Sequence, residues 1–318
     1  MTDLLFTQAA LAALSRSPWV VVPEALEAGR LDEATESALR LEEGCRSQIE
    51  RYSGWLASLY EFYGDQWGRS GATDAVRITR AFFANSPDVA FVDEKDPAPI
   101  GEAIFAAARH KDTDVAIAHF NGTVASWRHS IDLHRDWISA LLSAVYRDHG
   151  PDCLETALRY CGATGLIGGI EQHIQNSPEE RLVSLVNLLH GHFAELTVAE
   201  DARKFVITQN LCGTCSRQII DGRLGPPLNL ALVTEPHAVT WGRGDTTIYR
   251  THIPIWHVAM AKERIGAPWP VNLCPEGLNA DACRILLYKN PYDPEAESQV
   301  PGTRWHANRG ASLQREGT

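Results

Sequence analysis

Residues 205–215 read FVITQNLCGTC, residues 241–257 read WGRGDTTIYRTHIPIWH, and residues 274–288 read CPEGLNADACRILLY. Short branched runs of strand character alternate here with cysteine and histidine. Four of the seven cysteines lie in this region, Cys212, Cys215, Cys274 and Cys283, with His252 and His257 between the two pairs. Soft thiolate and imidazole donors gathered over about 70 residues are what a zinc or related transition-metal site requires. The stretch also marks a change of period. Upstream of it the chain reads as helix, and from about residue 195 it reads as mixed strand and helix.

The helical signals are repeated apolar steps of three and four. They predict helices over 3–15, with Thr2 or Asp3 as cap, over 31–62, and over 73–92, ending near Ser86 and Pro87. A loop is expected at 93–103, then a buried helix containing His119. In residues 130–149, Leu133, Trp137, Leu141 and Val145 form one apolar face, and Gly150 and Pro151 end the helix before the next begins. Ser177 and Pro178 start a further helix to 194. Strands are expected at 195–198, 204–208, 230–234, 238–242, 246–250 and from Cys283. A helix from Pro254 to Gly266 and an extended tail from Asn290 complete the reading. The predicted fold class is α+β, a helical N-terminal part (1–177) packed on a mixed α/β metal-binding C-terminal part (178–292), followed by a tail (293–318).

A net charge of −11 with no basic run argues against nucleic acid and against an anionic membrane surface. Polar residues and Pro23 interrupt the first 30 residues, which reads as neither a signal peptide nor a span. No later apolar run approaches about 18 residues. An odd number of cysteines in a chain of 318 residues does not suggest a disulfide framework, so a reducing cytoplasm is the expected compartment.

Cys212 and Cys215 stand between a strand and a short helix, where three roles compete: a metal knuckle, a redox pair, or two half-buried thiols without a role. Cys283 is preferred to Cys274 as a further ligand, because it stands at a loop–strand junction. His252 and His257 are five apart and do not share a helical face, so one serves as ligand and the other as acid/base. This gives Cys212, Cys215, His252 and Cys283 as metal ligands and His257 as proton shuttle. Glu263, on the same helix, is a candidate base, with a solvated position beside Lys262 and Arg264 as the alternative. His190-Gly-His192 ahead of the cysteine pair has the order of a zinc deaminase, but His192 stands where that chemistry needs a glutamate.

Three segments carry a resemblance: HGHFAELTVAEDARKFVITQNLCGTCSR, WGRGDTTIYRTH and DACRILLYKNP. Over roughly residues 180–292 the chain resembles the bacterial group of L-2-amino-thiazoline-4-carboxylate hydrolase, and more distantly the 4-vinyl reductase type of ligand-binding module. The group's pattern is Cys-Gly-Ser-Gly-Gly-Arg, then Tyr-Cys-x-His-Cys, then Cys-Thr-Trp. Cys212, His252 and Cys283 match it. Arg250 and Ile253 stand where the relatives have cysteines, and Cys215 and His257 are additional donors.

The leading expectation is a hydrolase with one zinc ion per chain, acting on a C–N or C–S bond of a small-molecule substrate, heterocycles included. The alternatives are a small-molecule sensor or carrier with a structural zinc, and a thiol-redox protein using Cys212 and Cys215. Trp and Tyr residues in the first 70 positions offer a contact for a homodimer.

Overall fold

The computed structural model describes residues 4–86 and 112–302. The predicted loop at 93–103 and the end of the helix predicted to reach residue 92 lie outside them. Two long helices dominate. Helix α3 spans Leu31–Asn85 and α4 spans Thr113–Cys161, and they pack along each other. Neither is a straight rod. Gly68 in α3 (φ 62°, ψ −145°) and Gly150 in α4 (φ 80°, ψ −178°) leave helical geometry. That region of backbone space is open essentially to glycine alone. The break at Gly68 falls between the two helices read from the sequence. The break at Gly150 falls where Gly150 and Pro151 were read as a stop, with Pro151 starting the next rod.

Two shorter helices precede α3. Helix α1, Gln8–Ser15, is capped by the Thr7 hydroxyl rather than by Thr2 or Asp3. Helix α2, Pro18–Glu27, was not expected from the sequence, because Pro23 reads as a breaker. It buries Val22 and Ala25 completely, and that packing outweighs the proline. His119 lies in α4 as expected, but on its exposed side.

After α4 a wide-turn segment, Gly162–Leu166, leads into α5, Ile167–His173, and then α6, Pro178–Gly191. The α6 start is a complete capping box: Ser177 Oγ accepts from the Glu180 amide and the Glu180 carboxylate accepts from the Ser177 amide. Strands β1, Glu195–Glu200, and β2, Lys204–Leu211, form the expected hairpin. Helix α7, Cys215–Ile220, follows. The late strands β5, Val271–Leu273, and β6, Cys283–Tyr288, complete an antiparallel sheet of order β1-β2-β6-β5, with β3, Leu232–Val233, and β4, Thr246–Thr247, as a separate small pair. Helix α8, Ala261–Ile265, precedes β5, and α9, Pro294–Gln299, follows β6.

Three expectations are corrected here. Residues 238–242 are not a strand: Ala238–Thr240 is a 3₁₀ turn whose amides bond back within the segment, Thr240 N to His237 O and Trp241 N to Ala238 O. Of residues 246–250 only the first two pair, and Ile248–Thr251 is again a 3₁₀ turn. Branched residues are frequent in both places, but these backbone groups are satisfied locally and leave no ladder to form. The tail is not wholly extended, since Asp293 caps α9.

Side chains of β1, β2 and β6 on one face, including Val198, Phe205, Ile207 and Leu287, join Leu11 of α1 and Leu182 and Leu189 of α6 in one apolar cluster. A second, larger cluster joins the interior of α3 and α4 to Cys212, Cys215, Tyr249, Trp256 and Cys283. Both clusters take side chains from either side of residue 178, and the change from helix to sheet comes at Glu195, where β1 begins. Among the described residues no helix is long and apolar enough to cross a membrane. Replacing Gly150 with Ala should cost roughly 1–3 kcal/mol, because a Cβ is strained at that backbone geometry. Thermal unfolding of Gly150→Ala against Gly122→Ala, whose added methyl meets open space within an ordinary helix, checks this.

Candidate metal centre

The sulfur site is assembled by chain ends. Cys212 directly follows β2, Cys215 opens α7, and Cys283 opens β6 opposite Gln209 of β2. Gly213 lets the chain turn between the two thiols. A Cβ there would lie 1.9 Å from the His192 carbonyl oxygen, so no larger residue fits without moving the backbone. The Cys212 and Cys215 sulfurs are 3.7 Å apart, and the three sulfurs of Cys212, Cys215 and Cys283 all lie within 4.8 Å of one another. All three residues are buried, at 5%, 2% and 4% exposure, and none is in a disulfide. Such a group can hold a metal ion. Cys274 is buried and directly follows β5, whose Leu273 pairs with Arg284 next to Cys283, but it lies outside the group of three.

Four buried thiols cannot all ionise without compensation, and Arg250 supplies it. Its Nη2 lies 3.6 Å from Cys215 Sγ, and its Nη1 donates to the carbonyls of Pro275 and Gly277 at 3.0 and 3.3 Å. Hydrogen bonds from Cys212 and Cys283, then the Arg250 guanidinium, hold the Cys215 thiol well below its usual range. Cys212, hydrogen-bonded to Cys215 and Cys283 and buried, is pushed up. In the metal-free site the first thiolate is therefore Cys215.

The helix bearing Cys215 is fixed by a buried ionic network. Asp132 Oδ1 of α4 accepts from Arg135 Nη1 at 2.7 Å and from Arg217 Nε at 3.0 Å, with a second, shorter bond from Arg217 Nη2. Arg135 also donates to Asp136 at 2.9 Å, and Gln218 Nε2 donates to Asp136 and to Ser139 Oγ at 2.7 and 2.9 Å. Arg217 Nη1 reaches the His192 carbonyl at 3.1 Å, so α7, α4 and the turn after α6 share one set of bonds. Burial raises the Asp132 carboxyl, but Arg135 and Arg217 more than offset it and leave it lowered. Asp136 is raised by burial despite Arg135.

The structure does not bring the remaining expected site residues to the sulfurs. His252 turns into an aromatic box, its ring 5.3 Å from Trp55 and 5.0 Å from Trp256, with Nδ1 against the Tyr249 carbonyl. The cause is the 3₁₀ turn at Ile248–Thr251, which aims Arg250 at the cysteines and His252 away from them. His257 opens onto the Trp269 carbonyl at 3.0 Å while its own carbonyl accepts from the Trp269 amide. Glu263 is 59% exposed and receives two bonds from Arg159 at 3.0 Å. It occupies the solvated alternative.

Sequence reading passed over Arg250 as a ligand-site residue, and over Asp132, Arg135, Asp136, Arg217 and Gln218. One signal was present: Asp132, Arg135, Asp136, Ser139 and Ser143 recur at helical spacing as a polar stripe, and every one is buried. Beside the sulfurs, Tyr52 and Tyr249 share a 2.8 Å hydroxyl bond, and Tyr52 lies 3.4 Å from His192 Nδ1.

Two outcomes test this geometry. Asp132→Ala leaves the buried Arg217 guanidinium without a carboxylate and Arg135 with Asp136 alone, so destabilisation of about 3–5 kcal/mol is expected in denaturant unfolding. Stability should also rise with pH between about 4 and 6.5. Burial, helped by Arg40, pushes His190 down to about 4, and burial with Arg217 pushes His192 down to about 3. The unfolded chain takes up these protons first, at the ordinary histidine range near 6.5, so each contributes up to about 1.4 kcal/mol per pH unit in that window. Unfolding midpoints at pH 4.5 and 7.5, compared with those of His192→Phe, measure it. Against known proteins, no family model, no curated protein and no solved structure matches this chain.

Proposed function

We propose that Cys212, Cys215 and Cys283 hold one zinc ion with Cys274 as fourth ligand, and that this closed centre stabilises a small-molecule sensor or carrier. The observation that carries this reading is the burial of three mutually close sulfurs, with a fourth buried cysteine, Cys274, directly after the β5 residue that pairs beside Cys283. The donor set fits. Zinc–sulfur bonds of about 2.3 Å in a tetrahedron separate sulfurs by roughly 3.8 Å, against 3.7 Å for Cys212 and Cys215. Thiolates are the soft donors that zinc takes in structural sites, and Arg250 balances part of their charge. A centre of this kind clips the ends of β2, β5 and β6 to α7, and so to the ionic network on α4.

A second reading keeps the hydrolase suggested by the resemblance to the L-2-amino-thiazoline-4-carboxylate hydrolase group. One observation favours it: only three sulfurs lie within common reach, which leaves a coordination position for water or substrate. Bound there, zinc would supply Lewis acidity toward a C–N or C–S bond. On this reading the Tyr249 hydroxyl, bonded to Tyr52 within the same buried cluster as Cys212, would hold a proton.

Elemental analysis and X-ray absorption on protein purified under reducing conditions separate the two. The expected result is about one zinc per chain in a four-sulfur shell, lost in Cys212→Ser and weakened in Cys274→Ser. Three sulfurs plus one light atom, unchanged in Cys274→Ser, would favour the hydrolase. Metal-free protein with a Cys212–Cys215 disulfide would sink both and leave the redox reading.

A further inference from the structure

We propose that His252 and His257 form a second metal site, separate from the sulfurs, which takes a divalent transition-metal ion of the nickel, copper or zinc kind through their Nε2 atoms. In an α-helix, residues five apart lie on different faces. The chain here is not an α-helix. Pro254–Met260 is π-helical, and its wider turn, with bonds spanning five residues, carries His257 round beneath His252. The ring centres are 6.0 Å apart. Metal–nitrogen bonds of about 2.0–2.1 Å, added to roughly 1.1 Å from each nitrogen to its ring centre, bridge up to about 6.4 Å. The observed separation lies within the span of one ion.

Both rings are prepared in the same way. Nδ1 of His252 donates to the Tyr249 carbonyl, and Nδ1 of His257 donates to the Trp269 carbonyl at 3.0 Å. A carbonyl can only accept, so the proton of each neutral ring sits on Nδ1 and Nε2 carries a lone pair. Metal-bound histidines are almost always held like this, the second nitrogen tied to a backbone carbonyl or carboxylate that fixes tautomer and ring direction. Neither Nε2 has a hydrogen-bond partner among the described residues, and both are within reach of water, since the two rings are half-buried and not sealed in. Burial, with His257 beside it, pushes His252 down to about 3, and burial also lowers His257, so at neutral pH no proton competes for the lone pairs. Trp55, Tyr249 and Trp256 pack against the His252 ring at 5.3, 5.0 and 5.0 Å and hold its direction. Neutral imidazole suits nickel, copper and zinc, whereas calcium and magnesium take oxygen. Among the described residues no third His, Cys, Asp or Glu joins the pair, so the remaining positions fall to water or to a small Lewis base.

The site shares no ligand with the sulfur centre, so its test is separate from that of the zinc reading. Nickel(II) is titrated calorimetrically into the zinc-loaded full chain, with zinc measured on every sample and X-ray absorption recorded at the nickel edge. One nickel per chain is expected, in a shell of light atoms with the imidazole signature and no sulfur, and with zinc retained. His252→Gln and His257→Gln should each weaken it about tenfold or more, and Cys212→Ser should leave it unchanged. No saturable nickel binding, a sulfur shell around the nickel, or binding unaffected by both histidine substitutions would each overturn the proposal. The wild-type spectrum decides the matter even where a variant fails to fold. Histidine-dependent nickel binding in a chain that holds no zinc would count against the sulfur reading alone and leave this site standing.

Discussion

The Asp132 carboxylate, shared between Arg135 and Arg217, is the constraint on which the arrangement of the site depends. Two guanidiniums that are 0% and 1% exposed are tolerable because Asp132 serves both, Asp136 takes a further bond from Arg135, and the His192 carbonyl takes one from Arg217. An ionic group of this kind contributes little net stability over a well-packed apolar one, but it is intolerant of misplacement. It therefore fixes the rotation of α7 on α4, and with it the direction in which Cys215 points. The adjacent Asp136, bonded to Gln218, adds a second point of attachment and leaves α7 no freedom to slide.

The sulfur group is built on that anchored helix from the other side by strand register. Antiparallel pairing sets Cys283 opposite Gln209, and the continuation of the β5–β6 pairing sets Cys274 beside Cys283. Hydrogen-bond ladders thus bring together thiols from two connections, β2 to α7 and β5 to β6, and Gly213 admits the close approach to the His192 carbonyl that the turn requires. Arg250 enters the same space, and its charge beside Cys215 makes thiolate character tolerable in a buried setting.

Helix α6 has different neighbours on its two sides. Its C-terminal residue leads into the turn whose carbonyl Arg217 grips, while His190, two residues before that carbonyl, lines a cavity under α1 and α2. The end of α6 thereby ties the helical layer to the sheet, and both apolar clusters draw side chains from either side of residue 178.

Periodicity and punctuation in the sequence determined most of the local structure. Apolar steps of three and four gave the long helices, Gly150 and Pro151 gave the break in α4, Ser177 and Pro178 gave the start of α6, and branched runs gave β1, β2 and β6. Each is decided within a few residues by backbone sterics or capping, so each is legible along the chain. The sequence by itself also drew attention to Cys212, Cys215 and Cys283, because sulfur spacing is a local signal. Tertiary structure alone decided the rest. Residues 238–242 became a turn whose amides bond locally, and the 3₁₀ turn at Ile248–Thr251 sent Arg250 toward the sulfurs and His252 into the aromatic box. Asp132 and Arg217 are 85 positions apart, and nothing local distinguishes a charge that will be buried against a distant partner from one left in water.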